Sequence, residues 1–292
     1  MGDRLKHKVA VVTGGGRGIG RAIALALAEE GSKVVANDLG GALDGTGAST
    51  APADEVVAEI KKGGGEAVAN YDTVATVEGG DNIIHAALDH FGRIDILVNN
   101  AGITRHRMVF NMAPEEWDAV IKVHLYGTFN CTRPAAALMR QQRSGRIINV
   151  TSIAGLTGEG ATGWSNYAAA KAGIAGFTRV CAKDLGKYGI TVNAISPGAA
   201  TRMLLDWQAS YKEQQPEDVA PVVVFLATEA AASISGCIFG VQGGRVDLFT
   251  PPVPVKSLYK DGRWTLDELL RTMPATLAAG LVNPAPPEQK TS

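Results

Sequence analysis

Tyr167 and Lys171 stand four residues apart in a stretch, Ser165 to Lys187, whose apolar spacing predicts a helix, so the two side chains share one helical face. A phenol releases its proton near ~10, and moving that to ~7 takes about 4 kcal/mol of preference for phenolate, part of which an adjacent ammonium can supply. The pair is suited to proton transfer. Ser152 follows a Val/Ile-rich segment, Arg146 to Thr151, and can hydrogen-bond an oxygen at the end of that strand, with Thr151 as its structural alternative. No GxSxG turn surrounds Ser152, so a hydrolase built on Ser152 and His124 is excluded.

A second constellation lies at the N-terminus. Val9-Ala10-Val11-Val12-Thr13 reads as a strand that runs into Gly14-Gly15-Gly16-Arg17-Gly18-Ile19-Gly20 and then into an Ala/Leu-rich helix. Gly14 allows a tight turn, and Gly18 and Gly20 let backbone and helix approach closely. The positive end of the helix then faces a pyrophosphate. Asp38 closes the second strand, where a carboxylate accepts both hydroxyls of an adenosine ribose and repels a 2′-phosphate, which selects NAD. Arg17, inside the loop, points the other way because it would attract that phosphate. Asp38 is given precedence, since the ribose sits at the end of the second strand.

The elements that must position these groups alternate. Strands are expected at Lys8–Thr13, Lys33–Asn37, Ala67–Asn70, Ile94–Val98, Arg146–Thr151, Thr191–Ile195 and Cys237–Val241. Helices are expected at Gly18–Glu30, Ala53–Lys62, Thr76–Phe91, Pro114–Arg140, Ser165–Lys187 and Pro216–Ala227. Such alternation builds an α/β fold: a single-domain, Rossmann-type, doubly wound parallel sheet of about seven strands with helices on both faces. Residues 1–245 form this domain and 246–292 a Pro-rich tail, in which Thr265-Leu266-Asp267-Glu268 has the spacing of a capping box and starts one short helix. Disorder is expected after Asn283. The Gly/Ser/Thr-rich stretch from Gly40 to Ser49 reads as a surface loop too polar to join the core.

The 292 residues carry 28 Lys+Arg against 29 Asp+Glu, a balance that argues against a nucleic-acid partner. Apolar runs are too short for a membrane span. Cys131, Cys181 and Cys237 are widely spaced, with neither CxxC nor clustered His, so neither a metal site nor a disulfide framework is expected, and the compartment reads as reduced and cytoplasmic.

These motifs resemble the short-chain dehydrogenase/reductase family: TGxxxGxG in Thr13, Gly14, Gly18, Ile19 and Gly20, NNAG in Asn99-Asn100-Ala101-Gly102, YxxxK in Tyr167 and Lys171, and PG in Pro197-Gly198. A narrower similarity, in Asn37-Asp38-Leu39-Gly40-Gly41, Val68 to Asp72, Val123-His124-Leu125 and Arg202-Met203, is to the (3R)-hydroxyacyl-CoA dehydrogenase part of the multifunctional enzyme of β-oxidation. The resemblance implies that Tyr167 exchanges a proton while hydride moves between substrate and nicotinamide, that Lys171 also holds the nicotinamide ribose, and that Ser152 binds the substrate oxygen. Ser152 and Tyr167 are 15 apart where the family commonly has 13, which implies a longer intervening loop. His124 replaces an Asn that holds a proton-relaying water in many members, and a near-neutral titration would suit that role. The other reading of His124 is a buried histidine satisfied by a backbone carbonyl.

By the same resemblance Asn99, Ala101, Gly102, Pro197 and Gly198 contact the cofactor, Asp72 faces the adenine, and Thr201 faces the nicotinamide or its phosphates. Asp95 reads as a residue at the start of a strand, and Trp164 as a substrate wall or a packing residue. The implied function is NAD-dependent oxidation of a secondary alcohol, foremost a (3R)-hydroxyacyl-CoA, with Arg105, Arg107 and Arg202 as candidates for CoA. Alternatives are a ring alcohol, reduction of 3-oxoacyl carrier protein, or a cofactor-binding scaffold without turnover. Substrate choice is expected in Met203 to Gln215. A homotetramer packed through the two long helices is implied as well.

Overall fold

The computed structural model describes residues 2–199 and 214–285. Seven parallel strands, β1 (Val9–Thr13), β2 (Lys33–Asn37), β3 (Ala67–Asn70), β4 (Ile96–Asn99), β5 (Gly145–Val150), β6 (Ile190–Gly198) and β7 (Ile238–Gln242), stand in the order β3-β2-β1-β4-β5-β6-β7. An eighth, β8 (Arg245–Phe249), pairs antiparallel with β7 through a turn at Gly243-Gly244. The alternation of Arg, Val, Asp, Leu and Phe after two glycines is a hairpin signal, and it adds one strand to the seven expected. The helices are α1 (Gly18–Glu29), α2 (Ala51–Lys62), α3 (Val77–Phe91), α4 (Pro114–Ile121), α5 (Gly127–Gln142), α6 (Ile153–Leu156), α7 (Ser165–Gly186) and α8 (Ala220–Ala227).

β1 shows why the sheet must be covered twice. Ala10 and Val12 enter an apolar cluster with Ile23 and Leu27 of α1, Val56 of α2 and Val223 of α8. Val9 and Val11 enter the opposite cluster with Ile83 and Ile84 of α3 and with Ala135 and Met139 of α5. All five strand residues are buried, so the run has no solvent face and alternates between two cores. Asp95 has the place expected of it: its carboxylate accepts from the backbone N of Val9 and from the Arg93 guanidinium, joining β4 to the start of β1.

The expected helix Pro114–Arg140 is helical throughout but not α-helical throughout. A π-helical turn, Lys122–Tyr126, separates α4 from α5. Such a turn adds a residue to the helical repeat and re-aims the side chains beyond it. Met1–Phe249 forms one compact unit and Thr250–Ser292 another. In the second, α9 (Leu266–Thr272) begins at Thr265, whose hydroxyl accepts from the Glu268 N while the Glu268 carboxylate accepts from the Thr265 N. This is the capping box read from the sequence. Residues 286–292, most of the end expected to be disordered, lie outside the described residues.

Gly80 of α3 lies against α5, and a Cβ there would meet the backbone C and O of Asn130 at 2.7 Å. Backbone cannot turn aside as a side chain can, so Gly80→Ala should lower stability by roughly 1–3 kcal/mol, seen as a fall in Tm by circular dichroism. An unchanged Tm would mean that α3 and α5 do not approach this closely.

Candidate active site

β1 connects to one side of the sheet and β4 to the other, so the loops at their C-terminal ends part and leave a crevice. A cavity of about 1100 Å³ lies there. Its nucleotide end is lined by Gly14, Arg17, Gly18, Ile19, Gly20, Asp38 and Asp72. A Cβ at Gly20 would collide with the carbonyl of Gly14, and one at Gly14, whose φ is +62°, would lie 2.8 Å from the Ala101 Cα. These glycines bring the loop, the helix start and the end of β4 together. No side chain caps α1, so the N–H groups of its first turn are available to an anion.

Asp38 is fixed by its neighbours, one oxygen accepting from Gly16 N at 2.9 Å and the other from Gly40 N at 2.7 Å. Arg17 donates to the Gly41 carbonyl at 3.2 Å. The Asp72 carboxylate accepts from the side-chain amides of Asn70 and Asn82. This set suits a dinucleotide: a pyrophosphate at the α1 N-terminus and a ribose at Asp38.

Ala101, Gly102, Pro197 and Gly198 line the same cavity; Asn99 does not. Its amide nitrogen donates to Thr132 Oγ1 at 3.0 Å and to Asn149 Oδ1 at 2.9 Å inside the sheet. The expected cofactor contact of Asn99 is therefore corrected to a tie between β4, β5 and α5. Asn100 lines the cavity instead, donating to the carbonyls of Thr13 and Gly14, both at 3.0 Å. Thr201 and Arg202 lie outside the described residues, as does most of Met203 to Gln215.

At the other end the structure brings Ser152, Tyr167, Lys171 and His124 together. Ser152 Oγ is hydrogen-bonded to the Tyr167 hydroxyl in spite of the longer spacing, because α6 and the loop to Ser165 absorb the added residues. Thr151 is the structural neighbour, its hydroxyl donating to the Lys171 carbonyl at 2.7 Å. Lys171 Nζ donates to the Val150 carbonyl at 2.6 Å and lies 5.4 Å from the centre of the Tyr167 ring. Burial pushes the lysine down to about 7. The same burial pushes the phenol up to about 12, against the opposing effect of the Ser152 hydrogen bond. The protein's own groups thus reverse the downward shift that the ammonium alone was expected to produce, because desolvation outweighs that attraction.

His124 sits on the π-helical turn, buried, edge-on to Tyr167 with ring centres 5.1 Å apart. Its Nε2 meets Ile103, 2.8 Å from the carbonyl and 3.1 Å from the amide; which of these bonds forms depends on the tautomer. Burial, and then the charge of Lys171, push it down to about 3, so the near-neutral titration expected of a relay is not found. A Cβ on Gly102 would strike this imidazole, which accounts for the glycine.

Sequence reasoning missed three contributors. Asn166, next to Tyr167, accepts from the Tyr167 N and donates to the carbonyls of Arg105 and Glu116. The Gly40–Ser49 stretch is the expected surface loop, with no residue buried, and in addition Ala42, Leu43 and Gly45 line the cavity while Thr104 N donates to the Leu43 carbonyl. Asp247 and Phe249 of β8 also line it. Only the hairpin carried a local signal.

The model of the short chain dehydrogenase family matches residues 8–212, and the chain belongs to that family and is an oxidoreductase. A 3-oxoacyl-[acyl-carrier-protein] reductase of Synechocystis sp. is 48% identical, over 83% of this chain and 98% of that protein. The hydroxyacyl-CoA dehydrogenase ChsB1 of Mycobacterium tuberculosis is 42% identical, over 92% of this chain and 88% of that protein, in line with the narrower similarity read from the sequence. A crystal structure of a short chain dehydrogenase from Mycobacterium avium superposes with a TM-score of 0.84 at 44% identity, over 94% of this chain and 95% of that one. The family uses nicotinamide cofactors, in accord with the crevice described above.

His124 binds a proton in the unfolded chain below about 6.5 but in the folded protein only near 3. Its contribution to stability is therefore full above pH 6.5 and is lost as the pH falls toward 3. His124→Asn should narrow the difference in Tm between pH 7.5 and pH 5, measured by scanning calorimetry. An unchanged difference would show that the imidazole is not held neutral by the fold.

Proposed function

We propose that the protein oxidises the hydroxyl of a (3R)-3-hydroxyacyl-CoA to the ketone with NAD. The observation that carries this reading is the juxtaposition of Ser152, Tyr167 and Lys171 at one end of a crevice whose other end is marked by Asp38. Similarity to the hydroxyacyl-CoA dehydrogenase ChsB1 supports the choice of substrate class. When bound, NAD would supply hydride acceptance and the positive charge of its oxidised ring. Ser152 donates to the substrate oxygen and orients it. Tyr167 takes the hydroxyl proton, and Lys171, held by Val150, keeps a positive charge next to the ring and favours the phenolate. His124 holds the Gly102–Ile103 backbone and the edge of Tyr167, and in this reading positions the phenol and does not relay protons.

Asp38 supports NAD over NADP, since its carboxylate, fixed by two N–H groups at the end of β2, would repel a 2′-phosphate. The similarity to a 3-oxoacyl-[acyl-carrier-protein] reductase favours a second reading, in which the same groups work in the reducing direction. We further propose a homotetramer packed through α5 and α7, where Phe129, Val180 and the small residues Ala169, Ala172 and Gly176 remain exposed. A reducing cytoplasm suits the three free cysteines, and no helix among the described residues is long and apolar enough to cross a membrane.

NADH formation at 340 nm with (3R)- and (3S)-hydroxyacyl-CoAs and ring alcohols tests the reading; turnover of ring alcohols alone would refute the acyl-CoA assignment. Tyr167→Phe should lower kcat by at least ~10²-fold with the fold intact, and retained activity would remove Tyr167 from the mechanism. Asp38→Ala should raise KM for NAD more than KM for NADP. An unchanged cofactor preference would overturn the role of Asp38.

A further inference from the structure

Of the arginines singled out in the sequence, Arg107 is engaged: both carboxylate oxygens of Glu116 lie 2.9 Å from its Nε. Arg105 is placed differently. It lines the cavity, half-buried, and its Nε donates to the Asp44 carbonyl at 2.8 Å. Its two terminal nitrogens make no hydrogen bond and no ion pair among the described residues. Its charge reaches Asp44 and Glu116, but Asp44 is turned onto Thr46 and Glu116 onto Arg107.

The other cations lining the cavity are committed or belong to its other parts. Arg245 pairs with Asp247, Lys122 with Asp118, Lys171 is held by Val150, and Arg17 stands in the glycine loop. Arg105 is carried from the catalytic side: its carbonyl accepts from Asn166 at 2.8 Å, and Asn166 in turn accepts from the Tyr167 N. The guanidinium is thus braced by the Gly40–Ser49 loop, and the backbone that carries it by the start of α7.

We propose that Arg105 is the anchor for the phosphate of a pantetheine-linked substrate, the anionic handle of the acyl group whose hydroxyl meets Tyr167. A half-buried guanidinium with free N–H groups matches a phosphate in charge and in fork geometry. The same handle occurs in a CoA thioester and in the phosphopantetheine of a carrier protein. The proposal rests on the reading of the substrate as an acyl thioester and adds the residue that distinguishes it from a neutral ring alcohol.

The test compares the wild-type enzyme with Arg105→Ala on three thioesters of one (3R)-3-hydroxyacyl group: CoA, 4′-phosphopantetheine and phosphate-free pantetheine. In the wild type the CoA ester should have the higher kcat/KM, through KM, and added salt should erode that preference. Arg105→Ala should lower the preference for the CoA ester over the pantetheine ester on the order of tenfold, and Arg107→Ala should leave it in place. Loss on the phosphopantetheine ester as well assigns the contact to the 4′-phosphate shared with carrier protein, and loss on the CoA ester alone assigns it to the nucleotide phosphates of CoA. Equal effects on all three esters, or a rise in KM for NAD instead, would overturn the proposal. If the wild type oxidises none of the esters, it is the acyl-thioester reading that fails.

Discussion

Two ionisable groups, Tyr167 and Lys171, are kept together where water is scarce, and much of the site exists to make that tolerable. Burial disfavours both charged forms, raising the phenol to about 12 and lowering the amine to about 7. A phenolate beside an ammonium is then neutral as a pair, and each charge stabilises the other more strongly than it would in water. The Val150 carbonyl satisfies the amine and Ser152 satisfies the phenol, so neither polar group is left without a partner.

The surrounding elements serve this arrangement in order of distance. α7 supplies both side chains from one face, and Thr151 ties the end of β5 to the backbone of Lys171. The π-helical turn aims His124 at the Ile103 backbone and the edge of the Tyr167 ring, which fixes the loop after β4 relative to the phenol. Farther out, the divergence of the connections from β1 and β4 opens the crevice, and the bare N-terminus of α1 and the braced Asp38 occupy its other end. A nucleotide and a substrate can therefore meet across one sheet edge without either displacing the core.

Some of the site was legible because its residues are close in sequence. The Gly14–Gly20 loop, Asp38 at the end of β2 and the four-residue spacing of Tyr167 and Lys171 each carry their geometry locally. Neighbouring residues at a strand end were less legible. Asn99 and Asn100 are chemically identical and adjacent, but one points into the sheet toward Thr132 and Asn149 and the other reaches the glycine loop. Nothing in the NNAG segment tells which is which, because the answer lies in residues 30 to 90 positions away. The Gly40–Ser49 stretch was legible as a surface loop from its polar composition, but only the bond from Thr104 N to the Leu43 carbonyl and the place of the loop beside the cavity show that it walls the site.

By itself, the sequence determined the alternating strands and helices, the double burial of the sheet, the position of the glycine loop, the capping box of α9 and the shared helical face of Tyr167 and Lys171. These follow from periodicity and local spacing, whose physics is contained within a few consecutive residues. The tertiary structure alone decided the eighth strand's share in the cavity, the π-helical turn at His124, the burial that drives Tyr167 and Lys171 away from their ordinary titration, and the placement of Arg105, whose terminal nitrogens pair with nothing among the described residues. Each depends on desolvation or on a partner distant in the chain, and both are properties of packed neighbours, not of local order along the chain.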